Sequence, residues 1–141
     1  IMRIRLFESH LEEYYQKVNI DVSEFNKQIR ESGEWFSKKE YNKILNLIDD
    51  CLGLEDSRGI ISAYCRSEII NIDIQFVSLW FRLIKMDDDW YYVNFQSCEG
   101  EIDVYYKCDQ YDGLVQLLRN CDEMKEIKRL ILKNKIDNQY D

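Results

Sequence analysis

The spacing of apolar positions changes twice along this chain. From residue 9 to about 53 they recur every three or four residues, from 60 to about 107 mostly every second residue, and from 110 to 133 every three or four again. The first stretch predicts helices, each opened by a residue whose side-chain oxygen caps an orphan amide and a glutamate three residues on that can reach back. Ser9 with Glu12 opens a helix carrying Leu11, Tyr14, Tyr15 and Val18. Asp21 with Glu24 opens a second through Phe25 and Ile29, stopped near Gly33. Ser37 with Glu40 opens a third, in which Tyr41, Ile44, Leu45, Ile48 and Leu52 share one face and Gly53 is placed to end it.

The middle stretch predicts strands. Ile60 to Cys65 forms one, and Ile70, Ile72, Ile74 and Phe76 alternate with polar residues. From Phe76 to Ile84, "FVSLWFRLI", both faces are apolar: Trp80 goes with Phe76 and Ile84, whereas Val77, Leu79, Phe81 and Leu83 point the other way. The chain then turns at Met86–Asp89, returns as Trp90–Phe95, turns at Glu99–Gly100 and leaves through Ile102–Lys107. Asp109 or Asp112 caps a helix with Tyr111, Leu114, Val115, Leu117 and Leu118. Asp122 caps a last one with Ile127, Leu130 and Ile131 before a polar tail from Asn134. The expectation is one α+β domain over residues 1–141, ordered from about 3 to 133. It has N-terminal helices, an antiparallel meander of about four strands and C-terminal helices.

A strand with two apolar faces is either covered on both sides or keeps one side for a partner. Tyr91-Tyr92 and Tyr105-Tyr106 put one tyrosine of each pair on each face. Trp80, Phe81, Tyr91, Tyr92 and Tyr105 are therefore the candidate interface.

Composition narrows the functions. At 45% apolar and 33% charged the chain is an ordinary globular one, and its net charge of −8 repels phosphate backbones, so direct nucleic-acid binding is disfavoured. The acidic triplet Asp87, Asp88 and Asp89 is the densest negative cluster. Adjacent residues in a turn do not converge on a cation, so the triplet reads as a solvated turn and a candidate acidic surface; no metal or other cofactor is expected. Lys125, Lys128, Arg129, Lys133 and Lys135 make the last helix the most basic region. The five cysteines are odd in number and widely spaced, which suits reduced thiols in a cytoplasm-like compartment. No apolar run approaches the roughly 20 residues of a membrane span, and Ile1–Phe7 is too short and charged for a signal segment. Phosphate-cradling glycine motifs are absent. An enzymatic reading falls first on Cys108, with the single histidine, His10, as its base.

Absent proline, one alanine and abundant isoleucine, asparagine and lysine point to an AT-rich genome. The string Tyr105-Tyr106-Lys107-Cys108-Asp109-Gln110-Tyr111-Asp112-Gly113-Leu114, with Asp88-Asp89-Trp90-Tyr91 and Arg5-Leu6-Phe7-Glu8, resembles small uncharacterised proteins of AT-rich phages and large viruses. The resemblance implies a viral source but no activity and no site residue. The leading expectation is a non-enzymatic protein-binding or assembly module, a viral accessory or virion-associated subunit in the host cytoplasm or the virion. It would bind a protein partner or itself. The alternatives are an acidic inhibitor of a host defence or nucleic-acid enzyme, and an enzyme with an unrecognised site.

Overall fold

The structure, a computed structural model, describes residues 14–53, 61–66, 69–74 and 77–139, with backbone alone for 61–66 and 135–139. In chain order the elements are β1 (Tyr15–Val18), α1 (Val22–Ser32), β2 (Gly33–Glu34), α2 (Lys38–Leu52), β3 (Ile61–Arg66), β4 (Ile69–Ile74), β5 (Leu79–Met86), β6 (Trp90–Ser97), β7 (Asp103–Asp109), α3 (Gln110–Asn120) and α4 (Asp122–Gln139). The fold is α+β. Six strands pair antiparallel in the order β1-β7-β6-β5-β4-β3. The two-residue β2 pairs with Lys85 and Met86 of β5, beyond the residues that pair with β4.

The predicted caps form. Asp21 Oδ1 accepts from the Glu24 amide at 2.7 Å, and Ser37 and Glu40 make both bonds of a capping box. Gly53 ends α2 at φ +68, a left-handed conformation that favours glycine.

Pleat sorts the sheet's side chains into two cores. On the first face Phe81, Leu83, Val93, Phe95, Tyr91, Tyr106 and Cys108 lie under α2, α3 and α4, which contribute Ile44, Ile48, Leu114, Leu117 and Ile127. On the second face Ile84, Met86, Tyr92 and Tyr105 lie under α1, through Phe25 and Ile29. Each fully buried apolar side chain contributes roughly 1.5 to 3 kcal/mol gross, so the first face dominates stability. The tyrosine pairs divide as the two-residue period requires: Tyr91 and Tyr106 face one way, Tyr92 and Tyr105 the other.

Several expectations are corrected. Residues 15–18 form a strand rather than the end of a helix, because the outer edge of β7 offers them a hydrogen-bond ladder in the register Tyr15↔Cys108 to Val18↔Tyr105. Ser9, Glu12 and Leu11 lie outside the described residues. Among the described residues seven strands replace about four, since β1 and β2 are too short for alternation to show in sequence. "FVSLWFRLI" is not one strand: β4 ends at Ile74, the Val77 amide donates back to the Ile74 carbonyl at 3.2 Å, and β5 begins at Leu79. The helix after Asp122 continues to Gln139 instead of giving way to a tail at Asn134, there being no glycine or proline between them to stop it.

Gly113 fastens β1 to the helical layer. A Cβ there would stand 2.3 Å from the Tyr14 carbonyl oxygen, so only glycine permits α3 to pack so close.

Candidate functional site

The five aromatic residues singled out by the sequence do not form one exposed patch. Phe81 is 0% exposed, Tyr91 6%, Tyr92 5% and Tyr105 4%, because helices from both ends of the chain cover the sheet. Phe81 and Tyr91 belong to the first face. Tyr92 and Tyr105 lie beneath α1, where the Phe25 ring meets each edge-on with centroids 5.3 and 4.8 Å away. Only Trp80 stays part-exposed, on the second face.

At the margin of α1 that second face becomes polar. Asn71 of β4, Arg82 of β5, Asn94 of β6 and Tyr105 of β7 stand in one row across four paired strands. Asn94 is fully buried and bonded at both ends: its Oδ1 accepts from Arg82 Nε at 3.0 Å, and its Nδ2 donates to Asp103 Oδ1 and to the Val104 carbonyl, both at 3.0 Å. The Arg82 guanidinium also lies 5.0 Å over the Phe25 ring, where apolar core and polar row meet. Trp80 donates its indole N–H to Gln96 Oε1 at 3.1 Å. Among the described residues no helix packs on this end. Sequence reasoning passed over Arg82, Asn94 and Gln96; the available signal was a lone polar residue inside each of the apolar runs "LWFRLI" and "WYYVNF".

Next to this row is an open hollow of about 590 Å³, walled by the link from β1 to α1, residues 19–21, and by Asp103, Val104 and Tyr105. Burial pushes the Tyr105 hydroxyl above its ordinary pKa, helped by the charges of Asp103 and Asp21 and opposed by Arg82. That hydroxyl makes no hydrogen bond of good geometry. A second hollow of about 410 Å³ includes Tyr15, Asp88, Trp90, Lys107 and Asp109, and the Lys107 ammonium sits 4.4 Å over the Trp90 ring.

The acidic triplet Asp87, Asp88 and Asp89 forms one exposed 3₁₀ turn between β5 and β6, with Asp88 and Asp89 both at φ 60. Among the described residues no three His, Cys, Asp or Glu side chains group to hold a metal ion. Cys108 is sealed at 0% exposure, and burial pushes its thiol well up; burial likewise pushes Cys121 up to about 12. Neither supplies a ready thiolate, and His10 lies outside the described residues. On α4 Lys125, Lys128, Arg129 and Lys133 are exposed, with Arg129 bonded through two nitrogens to Glu126 at 3.0 and 2.6 Å. No described helix is long and apolar enough to cross a membrane.

Comparison with protein-family models, with curated proteins and with solved structures finds no match to this chain.

Proposed function

We propose that the protein is a non-enzymatic binding module whose contact surface is the open, polar end of the second sheet face around Trp80. The observation that supports this most directly is the pairing of the part-exposed Trp80 with Gln96 beside the Arg82–Asn94–Asp103 chain. These side chains are held by strands and by one another before any partner arrives. Less conformational freedom is therefore lost on binding, and an amphipathic indole at the centre of a polar rim suits a protein contact. The buried aromatic residues have a supporting role: they fix the strands that display the surface. A viral accessory or virion-associated setting is the one that the composition suggests.

Site-specific photocrosslinking tests the reading. A benzophenone amino acid replaces Trp80 in one variant and Lys39, exposed on α2, in another, and both are expressed in the native cell. A discrete product from position 80 and none from 39 is expected, its mass showing whether the partner is a second copy or another protein. Equal labelling at both positions, or none at 80, would overturn the proposal.

A second reading, an acidic inhibitor that occupies a basic groove, has support in the exposure of Asp87, Asp88 and Asp89 at one hairpin tip. Salt separates the two. Binding led by this tip weakens steeply as exposed charges are screened, whereas contact through Trp80 persists.

A further inference from the structure

We propose that the exposed face of α4 is a docking site for a second copy of this chain, which binds through its acidic β5–β6 turn, so that molecules join head to tail. Lys125, Lys128 and Leu132 recur on α4 at intervals of three and four residues and so share one exposed face, with Arg129 and Lys133 beside them. Leu132 is 59% exposed, an apolar side chain left in water among cations. Arg129 is paired with Glu126, but among the described residues no carboxylate pairs with Lys125, Lys128 or Lys133. Such a face is the exception on a chain whose net charge is −8. Its occupant must bring negative charge, and the molecule itself carries a matching group. Asp87, Asp88 and Asp89 are exposed in one turn, and among the described residues none of the three has an ion pair or hydrogen bond.

Position supports the match, because α2 runs between the two surfaces. Near its start Glu40 bonds at 2.6 Å to Lys85, which closely precedes the triplet, and at its end a Cβ on Gly53 would stand 3.9 Å from Lys128 Cε. The 15 residues of α2 span about 20 Å, so the two surfaces cannot meet within one molecule and can meet between two. Cations beside the turn are engaged elsewhere: Lys85 by Glu40 and Glu34, and Lys107 over the Trp90 ring. The acidic side also carries an apolar group. Gly33 pairs with Met86, the residue before the triplet, and Trp35 just beyond it is 75% exposed. Contact with α4 would cover both Trp35 and Leu132, and an indole accepts a lysine over its ring. Lys38 and Lys39 follow Trp35 on α2, where like charge keeps the opposing helix on the triplet's side. Two different surfaces meet, so the contact adds further copies instead of stopping at a symmetric pair. It does not rest on the Trp80 surface, which lies on the sheet face away from α4.

Sedimentation velocity of the full chain, from about 10 μM to about 1 mM and at low and high salt, tests this with two variants. The turn variant carries Asp87→Asn, Asp88→Asn and Asp89→Asn, asparagine being tolerated at left-handed positions. The helix variant carries Lys128→Gln, Leu132→Gln and Lys133→Gln, which keep good helix formers. Both sets change exposed side chains only, and circular dichroism confirms folding. Wild type is expected to grow with concentration at low salt and to dissociate as salt screens the charges. Each variant alone should associate about tenfold more weakly or less still. A mixture of the two should form one-to-one pairs and nothing larger, because the helix of the turn variant and the turn of the helix variant are both intact. Wild type that is monomeric at every concentration, association kept by either variant, or a mixture that stays monomeric would overturn the proposal. Monomeric wild type that co-sediments with phosphatidylserine vesicles, and no longer does so in the helix variant, would overturn it too and reassign the face to a lipid surface.

Discussion

The two faces of the sheet use the same strands for opposite ends. On the first, three helices press on a continuous apolar layer in which Phe81, Leu83, Val93 and Phe95 have no exposure at all. On the second, one helix covers one end, and the other end carries two hydrogen-bonded pairs, Arg82 with Asn94 and Trp80 with Gln96. Stability depends on area removed from water, whereas recognition depends on polar groups held in place, and the pleat lets one strand supply both. The contrast teaches that the second face is partitioned along the strands rather than simply covered or open.

Truncation of a core ring should break the contrast most. Phe81→Ala is expected to cost about 3 to 5 kcal/mol in denaturant unfolding, because a cavity opens beneath three helices. A smaller loss would mean that the first face is loosely packed. Asn94→Ala comes next, at about 1 to 3 kcal/mol, since Arg82 and Asp103 each lose a partner at a fully buried position; neutrality would remove the polar row from the fold's support. Trp80→Ala should cost only about 1 kcal/mol in stability, its ring being part-exposed, while abolishing partner binding.

The smallest effect concerns the edge where β2 meets β5. Burial pushes the Glu40 carboxyl up, but hydrogen bonds from Lys85, at 2.6 Å, and from Ser37 outweigh it and hold the group below the ordinary carboxylate range. The unfolded chain therefore takes up the proton first as pH falls. The pair's contribution is present above the usual glutamate pKa and is lost as pH drops through the lower folded value. With screening it amounts to about 0.5 kcal/mol, so Glu40→Gln should lower stability by about that much at neutral pH, leave the acid end nearly unchanged and so flatten the acid limb slightly. A Glu40→Gln profile as steep as wild type would assign the acid limb to other carboxylates.

Much of this was legible in the chain. Asp21, Ser37 and Gly53 carry their instructions locally, in a capping oxygen or a missing Cβ, and the structure uses each as read. The opposed facing of Tyr91 and Tyr92 followed from period alone. What failed was non-local. Tyr15 to Val18 has helical spacing, and only the distant edge of β7 makes it a strand. Burial of Phe81 and Tyr105 depends on where helices land, which spacing does not encode. Of the candidate site Trp80 was singled out, and its polar neighbours were missed for the same reason: Arg82, Asn94 and Asp103 are unremarkable singly and acquire meaning once β5, β6 and β7 are in register.

The pairing of β1 with β7 bears on the order in which the molecule forms. Strands β3 to β7 are joined by short connections and can zip together as neighbours, but β1 must find an edge that lies roughly 90 residues further along the chain. On the ribosome it emerges before the other described strands and cannot take its place until β7 and the α3 helix bearing Gly113 have been made. Until that moment the outer edge of β7 stands open, and the hollow beside Tyr105, walled by the segment after β1, does not yet exist. Completion of the sheet and formation of that hollow are then one step.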